Sequence, residues 1–310
     1  MDNTLRVHRF AGYGLEVPDV SVAEKFFGAF GLQAQQRTDN VLQMRSQRGA
    51  NPAEPPEVLV MQGGAQKRLQ HIAFGVSPDD LPRFDEHLRR LGVSPSTPPF
   101  GEVRAGLWFQ DPWGTWICLL ALEKTPDERP NASSGEPRVD RHLWRELNRT
   151  IKPNKLGHAL VFTQDWEKAE AFLVEALGLR VTDRAAGKVS FLSAGTGVRD
   201  HHCFGLINST HRGIQHSSFQ VDSFDAVGFG GVQLYKAGYT EGFGVGRHAL
   251  ASNLFHYTRD PWGSWIEYYS DMDQISEAWV SKDWNDLPYI WPHWAPEFWR
   301  DEMNANHEPR

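Results

Sequence analysis

The chain has 310 residues, of which 40% are hydrophobic and 23% charged. These values are ordinary for a globular protein and exclude a chain that is disordered throughout. At roughly 150 residues per domain, the length suggests about two domains. The formal net charge is −7, and because the sequence has no Lys/Arg block, we expect no nucleic-acid partner.

The sequence also predicts where the protein works. It contains no run of about 18 apolar residues, so we expect neither a transmembrane helix nor a membrane partner. Its start, MDNTLRVHRF, lacks the basic and then apolar segments of a secretory signal. Two cysteines, Cys118 and Cys203, are too few for a disulfide framework. We therefore expect a cytoplasmic protein.

The first half of the chain, about residues 8–122, predicts a strand, a helix and strands, and then the same order again. Ser21 and Glu24 match a capping box, in which both side chains satisfy free backbone N–H groups at a helix start. Gly31 fits the end of that helix, because glycine adopts the left-handed conformation found there. A second helix is predicted at about 80–91.

The second half, about residues 154–272, repeats this pattern. The segment Asp111–Ile117 recurs as Asp260–Ile266 with six of seven residues identical. Asp165 is placed to cap the first helix of this half, and a second helix is predicted at about 223–237. Two homologous halves follow from the repeat.

A linker and a tail complete the predicted organisation. The segment 123–150 is rich in proline, serine and charge, as linkers are. We therefore predict an N-terminal domain at 1–122, a C-terminal domain at 151–272 and a tail at 273–310. The tail holds five of the twelve tryptophans: Trp279, Trp284, Trp291, Trp294 and Trp299. We expect it to pack on the body, because exposed aromatic clusters are unfavourable; a lid or wall over a pocket is compatible with that packing.

An acidic residue interrupts the last predicted strand of the second half. Glu267 stands in the apolar segment Trp265–Tyr269. A buried carboxylate is costly unless it is paired or coordinates a metal. The repeat places Cys118 at the matching position, so only the second half requires a carboxylate there.

Two histidines stand in other strands predicted for the second half. His158 interrupts an apolar strand where the repeat places Tyr13, and His216 corresponds to His71. Two histidines and Glu267 on three strands form a set that holds Fe(II) or Mn(II) and leaves positions open for a substrate and O2. From these residues alone, a metal site and a group of buried structural side chains are about equally favoured. The first half has only one of the three groups, and we expect it to bind no metal.

The repeat and this residue set resemble the vicinal oxygen chelate superfamily, and within it the type I, two-domain extradiol catechol dioxygenases. The resemblance covers about residues 8–272. It implies an α+β fold of tandem βαβββ modules that form two open barrels. It also implies that His158, His216 and Glu267 bind Fe(II), with Mn(II) as the other possible ion, in the C-terminal barrel only. A homo-oligomer is implied as well.

Three further positions match the dioxygenases. His202 is the second histidine of an Asp-His-His element, and His248 stands nine residues before Tyr257, which stands ten before Glu267. The resemblance implies that His202 is the acid/base and that His248 and Tyr257 hydrogen-bond the substrate. Without it, His202 is more typical of a polar edge pair and Tyr257 of a core residue. Leu250 departs from the Asn of some relatives, which leaves substrate orientation in doubt.

The implied function is ring cleavage of a catecholic small molecule by O2 in the degradation of aromatic compounds. Two alternatives stay open: a metal-dependent isomerase or lyase of the same superfamily, and a non-catalytic module that binds an aromatic ligand. An apolar pocket is expected for each, with Phe243 and Phe255 as candidate lining residues.

Overall fold

The computed structural model describes residues 5–47, 54–101, 104–124, 150–185, 187–285 and 292–294. Most of the predicted linker, 125–149, lies outside the described residues, as do Trp291 and Trp299. The described chain forms two large sheets of seven and ten strands and one small sheet of two strands. The expected α+β fold class is confirmed.

The first half forms the seven-stranded sheet, in the order β2-β3-β4-β1-β5-β7-β6. Its elements are β1 Arg9–Val17, α1 Val20–Ala29, β2 Gln33–Arg37, β3 Val41–Arg45, β4 Val58–Gln62, β5 Arg68–Val76, α2 Leu81–Arg90, β6 Leu107–Gln110 and β7 Trp116–Ala121.

The second half repeats this strand path as β9-β10-β12-β8-β13-β16-β15 and adds β14 beside β15. Its elements are β8 Lys155–Thr163, α3 Trp166–Leu177, β9 Arg180–Ala185, β10 Val189–Ser193, β11 Arg199–Asp200, β12 Phe204–Asn208, β13 Gly213–Gln220, α4 Phe224–Lys236, β14 Gly242–His248, β15 Leu254–Arg259 and β16 Trp265–Ser270. The chain continues as β17 Gln274–Ile275, β18 Lys282–Trp284 and β19 Pro292–Trp294.

Helix starts follow capping chemistry with one difference from the sequence-based prediction. Asp165 caps α3 as predicted, by accepting a hydrogen bond from the backbone N–H of Lys168. The capping box at Ser21 is wrong: α1 begins at Val20, and its cap is Asp19, which accepts from the N–H of Ser21. None of the described helices combines the length and the apolar character that crossing a membrane requires.

The two halves share one apolar core. The ring of Phe30 stacks on that of Tyr268 with centroids 4.0 Å apart, and the hydroxyl of Tyr268 donates a 2.7 Å hydrogen bond to the backbone oxygen of Phe30. Phe10 packs against Phe204 at 5.6 Å. Because these contacts join residues more than 190 positions apart, each half supports the sheet of the other.

The described part of the tail extends the larger sheet at both edges. Strand β18 pairs with β9 at one edge, and β19 pairs with β14 at the other. Trp284 packs against the apolar cluster that contains Phe191, and the indole N–H of Trp279 donates a 3.0 Å hydrogen bond to the backbone oxygen of Thr182.

We expect Phe30→Ala to lower the free energy of unfolding by about 3–5 kcal/mol, because it removes a fully buried ring. Urea unfolding followed by fluorescence measures this. Phe224, which is 44% exposed, supplies the control, and Phe224→Ala should change stability by less than about 1 kcal/mol. Equal unfolding midpoints for the two variants would contradict the placement of Phe30 in a core that the two halves share.

Candidate metal centre

Strand pairing brings the predicted residues into one row across the larger sheet. His158 of β8 pairs with Ser218 of β13, which pairs with Glu267 of β16, which pairs with Tyr257 of β15. Directly paired residues project from the same face of a sheet. His216 precedes Ser218 by two residues, so it also lies on this face.

The three predicted ligands lie within reach of one ion. The Nε2 atom of His158 is 3.1 Å from Oε2 of Glu267, and the Nε2 atom of His216 is 3.6 Å from the same oxygen. One ligand atom from each residue lies within 4.8 Å of the other two. Ligands at bond lengths of about 2.0–2.2 Å in adjacent positions stand roughly 3 Å apart, so this spacing suits a single metal ion.

The donor atoms themselves support a cation site. All three residues are at most 3% exposed. Nε2 of His216 and Oε2 of Glu267 nevertheless make no contact with hydrogen-bond geometry, although Nε2 of His158 lies 3.1 Å from that oxygen. Leaving such atoms unsatisfied costs about 1–3 kcal/mol each, and more for a charged group. A bound cation would satisfy both atoms.

The protonation states also fit metal ligands. Burial lowers the pKa of His216 to about 3, so this imidazole is neutral at pH 7. Burial acts to raise the pKa of Glu267, but its polar contacts with His158 and His248 outweigh burial and hold that pKa well below its usual range. The set therefore offers neutral imidazole nitrogen and an ionised carboxylate, as divalent metals require.

Neighbouring amides orient two of the ligands. The side-chain oxygen of Gln215 contacts Nδ1 of His216, and the amide of Asn253 donates a 3.3 Å hydrogen bond to Oε1 of Glu267. Partners of this kind fix ligand orientation and basicity. Neither residue was predicted from the sequence, because a single amide side chain has no spacing signature.

The ligands lie beside a cavity. The cavity is lined by His158, Leu160, Phe191, His202, His216, His248, Leu250, Asn253 and Tyr257. Five of the six residues predicted from the sequence line this cavity, and the sixth, Glu267, lies 3.1 Å from His158. Leu250, where some relatives have Asn, borders the cavity.

Three polar groups face the ligand set. The ring of His202 lies 4.4 Å from that of His158. His248 Nε2 lies 3.0 Å from the hydroxyl of Tyr257 and 3.7 Å from Oε1 of Glu267. Burial and the charge of Glu267 raise the pKa of Tyr257 well above 10, so its hydroxyl keeps its proton.

The apolar lining differs from the expectation. Phe243 stacks on Tyr257 at 4.9 Å, and Phe255 stacks on His248 at 4.3 Å. Neither borders the cavity. They support the polar rings from behind, while Phe191 of β10 faces the cavity. A strand phenylalanine has the same sequence pattern in either position, so the sequence did not distinguish them.

The first half places a guanidinium where the second half gathers its ligands. Arg104 is buried, and its Nε donates a 3.0 Å hydrogen bond to Nε2 of His71. A Cβ added to Gly12 would lie 3.2 Å from the same guanidinium. Among the described residues, only the second half contains a group of three suitable ligands.

The strand register corrects one residue of the repeat alignment. Gly12 pairs with Ala73 as His158 pairs with Ser218, so Gly12 is the counterpart of His158. Pairing His158 with Tyr13 was wrong by one residue. That shift moves a side chain to the other face of the strand, and Tyr13 instead contacts Ser217 in the core between the halves, at 3.0 Å.

Comparisons with known proteins agree with this fold and site. Residues 155–268 match the Glyoxalase/Bleomycin resistance protein/Dioxygenase superfamily. Metapyrocatechase 2 of Cupriavidus necator is 36% identical over 299 residues, which cover 94% of this chain and 91% of that protein.

Solved structures share the fold at lower identity. The Mn(II)-bound glyoxalase from Novosphingobium aromaticivorans has a TM-score of 0.78 at 19% identity and covers 99% of this chain and 96% of its own. The 2,3-dioxygenase LapB from Pseudomonas sp. KL28 has a TM-score of 0.73 at 19% identity, with 91% and 98% covered.

The chain therefore belongs to the glyoxalase/bleomycin resistance protein/dioxygenase superfamily. Within that superfamily it is one of the extradiol ring-cleaving dioxygenases, as is the metapyrocatechase that it resembles along most of its length.

We expect Glu267→Ala to weaken metal binding by roughly 100-fold or more, because even the loss of an outer partner of a ligand costs 10–100-fold. Elemental analysis after dialysis against a weak chelator measures this. Cys118→Ala is the matched control, since Cys118 occupies the same register position in the first half. Unchanged metal content in Glu267→Ala would contradict the ligand assignment.

Proposed function

We propose that the chain is an Fe(II)-dependent dioxygenase that inserts both atoms of O2 into a catecholic ring, at the bond next to the diol. The observation that supports this most is the placement of His202, His248 and Tyr257 around the ligand set His158, His216 and Glu267 in one cavity. An isomerase or lyase needs the ligands but not these three groups together.

The ligand set suits Fe(II) and also Mn(II), and the glyoxalase of similar fold binds Mn(II). When bound, Fe(II) would bind the diol and O2 and pass electrons from the diol to oxygen, so that the diol is oxidised and the iron returns to Fe(II). Glu267 contributes one negative charge, so a divalent ion keeps one positive charge to attract an anionic diol.

His248 and Tyr257 bind and orient the diol. Tyr257 keeps its proton and donates a hydrogen bond to an anionic oxygen, while His248, 3.0 Å from that hydroxyl, contacts the same end of the substrate. Because both groups lie on one side of the ligand set, they distinguish the two oxygens of the diol.

His202 accepts the remaining phenolic proton and returns it when the oxygen–oxygen bond breaks. Burial, together with the neighbouring imidazoles of His158 and His201, lowers the pKa of His202 well below 6.5, so the ring is neutral before the substrate binds. A positioned acid/base of this kind contributes about 10²–10⁴ in rate.

Apolar side chains hold the ring of the substrate. Three of the residues that line the cavity have side chains without a polar atom: Leu160, Phe191 and Leu250. An aromatic ring replaces water at this surface favourably, while its diol reaches the polar end.

Catechol and O2 with the Fe(II)-loaded protein should give a yellow ring-cleavage product, measured by absorbance. Removal of O2 or chelation of the metal should abolish the product. Activity without oxygen would favour the isomerase or lyase, because that chemistry needs no O2. Purified protein that neither contains nor binds metal would favour a ligand-binding module.

We expect His202→Ala to lower kcat for catechol by about 10²–10⁴ with unchanged metal content, because it removes the proton acceptor and leaves the ligands in place. Steady-state kinetics and elemental analysis measure the two quantities. His87→Ala, at a histidine of α2 far from the cavity, should leave both unchanged. Wild-type kcat in His202→Ala would exclude an acid/base role.

A further inference from the structure

A chain of buried polar side chains lies directly behind His202. Nδ1 of His202 is 3.1 Å from Nδ1 of His201, and Nε2 of His201 is 2.9 Å from Oδ2 of Asp183. The three residues are at most 4% exposed. None of them is a predicted metal ligand, and Asp183 and His201 do not border the cavity.

Hydrogen-bond chemistry fixes the position of each proton in this chain. A carboxylate only accepts hydrogen bonds, so Nε2 of His201 carries the hydrogen that it shares with Asp183. The Nδ1 atom of a neutral His201 then has a lone pair and must accept from Nδ1–H of His202. The remaining nitrogen of His202, Nε2, is left without hydrogen.

Residues of the C-terminal tail hold these three side chains in place. The backbone N–H of Lys282 donates a 2.9 Å hydrogen bond to Oδ1 of Asp183, which leaves Oδ2 for His201. The ring of Trp279 packs edge-on to that of His201 at 5.3 Å. The backbone N–H of His201 donates to the oxygen of Asp273 at 2.9 Å. The segment 273–282 therefore contacts both Asp183 and His201.

We propose that Asp183 and His201 are positioning residues that hold His202 in the tautomer whose Nε2 accepts the proton of the substrate. This inference rests on the proposed function, since it assigns partners to its acid/base. In the forward step, the phenolic O–H bond breaks and an Nε2–H bond forms on His202, which becomes an imidazolium. The Asp183 carboxylate, one ring away, stabilises that positive charge, and the same proton later returns to oxygen.

Asp183→Asn reverses the direction of the hydrogen bonds among these three side chains without moving the side chains. The N–H of Lys282 keeps the amide oxygen, so the amide N–H₂ faces Nε2 of His201 and forces it to accept. His201 then donates from Nδ1, and His202 must carry its hydrogen on Nε2. The base is lost although every side chain keeps its place, an effect known from catalytic triads in which Asp is replaced by Asn.

The main experiment measures kcat, KM and metal content of Asp183→Asn in the Fe(II)-loaded protein. With catechol we expect kcat to fall about 10²–10³-fold, with KM within a few-fold of wild type and metal content unchanged. With 4-nitrocatechol the loss should be at least about tenfold smaller, because its acidic hydroxyl needs little help from a base. Asp283→Asn is the matched control: Asp283 lies on the adjoining strand, is paired with Arg184 at 3.2 Å, and should keep wild-type kcat.

Substitution of His201 supplies an independent test. A glutamine amide offers one donor and one acceptor, as neutral imidazole does. His201→Gln should therefore keep kcat within about tenfold of wild type, whereas His201→Leu should lose about as much as Asp183→Asn.

Three results would overturn the proposal: wild-type kcat in Asp183→Asn, an equal loss on both substrates, or the same loss in His201→Gln and His201→Leu. Failure of the wild-type protein to cleave either catechol is a different outcome, because it would reject the proposed function itself.

Discussion

The site depends on one buried charge. Glu267 is completely buried, and burying a carboxylate costs several kcal/mol unless its surroundings compensate. Here the compensation comes from imidazoles on two other strands and from the amide of Asn253. The arrangement that stabilises the carboxylate also collects donor atoms around one point, which is why the same groups are suited to hold a divalent ion.

The two halves show how one scaffold supports two different centres. Both follow the same strand path, yet Cys118 replaces the carboxylate and Gly12 replaces the first histidine in the first half. The guanidinium of Arg104 occupies the vacated space and donates to His71. A cation that belongs to the chain itself therefore takes the place that the second half provides for a metal. This contrast explains why a half with no carboxylate still keeps one of the histidines.

The sequence predicted the architecture well, because the internal repeat allows the elements predicted in one half to be compared with those predicted in the other. The helix cap at Asp165 and the order of helices and strands along each half follow from local chemistry that the structure reproduces. Five of the six candidate site residues line one cavity and the sixth, Glu267, contacts His158, while their ligand and catalytic roles stay predictions. The alignment error at Tyr13 arose because the flanking glycines of the two halves suggest a register that hydrogen bonding shifts by one residue.

Other parts of the site had no signal in the sequence. Phe191 and Leu160 line the cavity, but apolar strand residues have the same sequence pattern in a core and in a pocket. The contact of Asp183 in β9 with His201, just after β11, joins residues 18 positions apart. Such pairings arise from tertiary packing, and neither residue type nor spacing reveals them in a single sequence.

The two edge strands contributed by the tail have a consequence for biosynthesis. Strands β18 and β19 complete opposite edges of the larger sheet, and both come from the last 30 residues of the chain. A ribosome synthesises these segments after β16, so the larger sheet lacks two of its ten strands until translation has passed residue 294. The first half can pair all seven of its strands once Ala121 has been synthesised, so during translation the smaller sheet can form before the larger one.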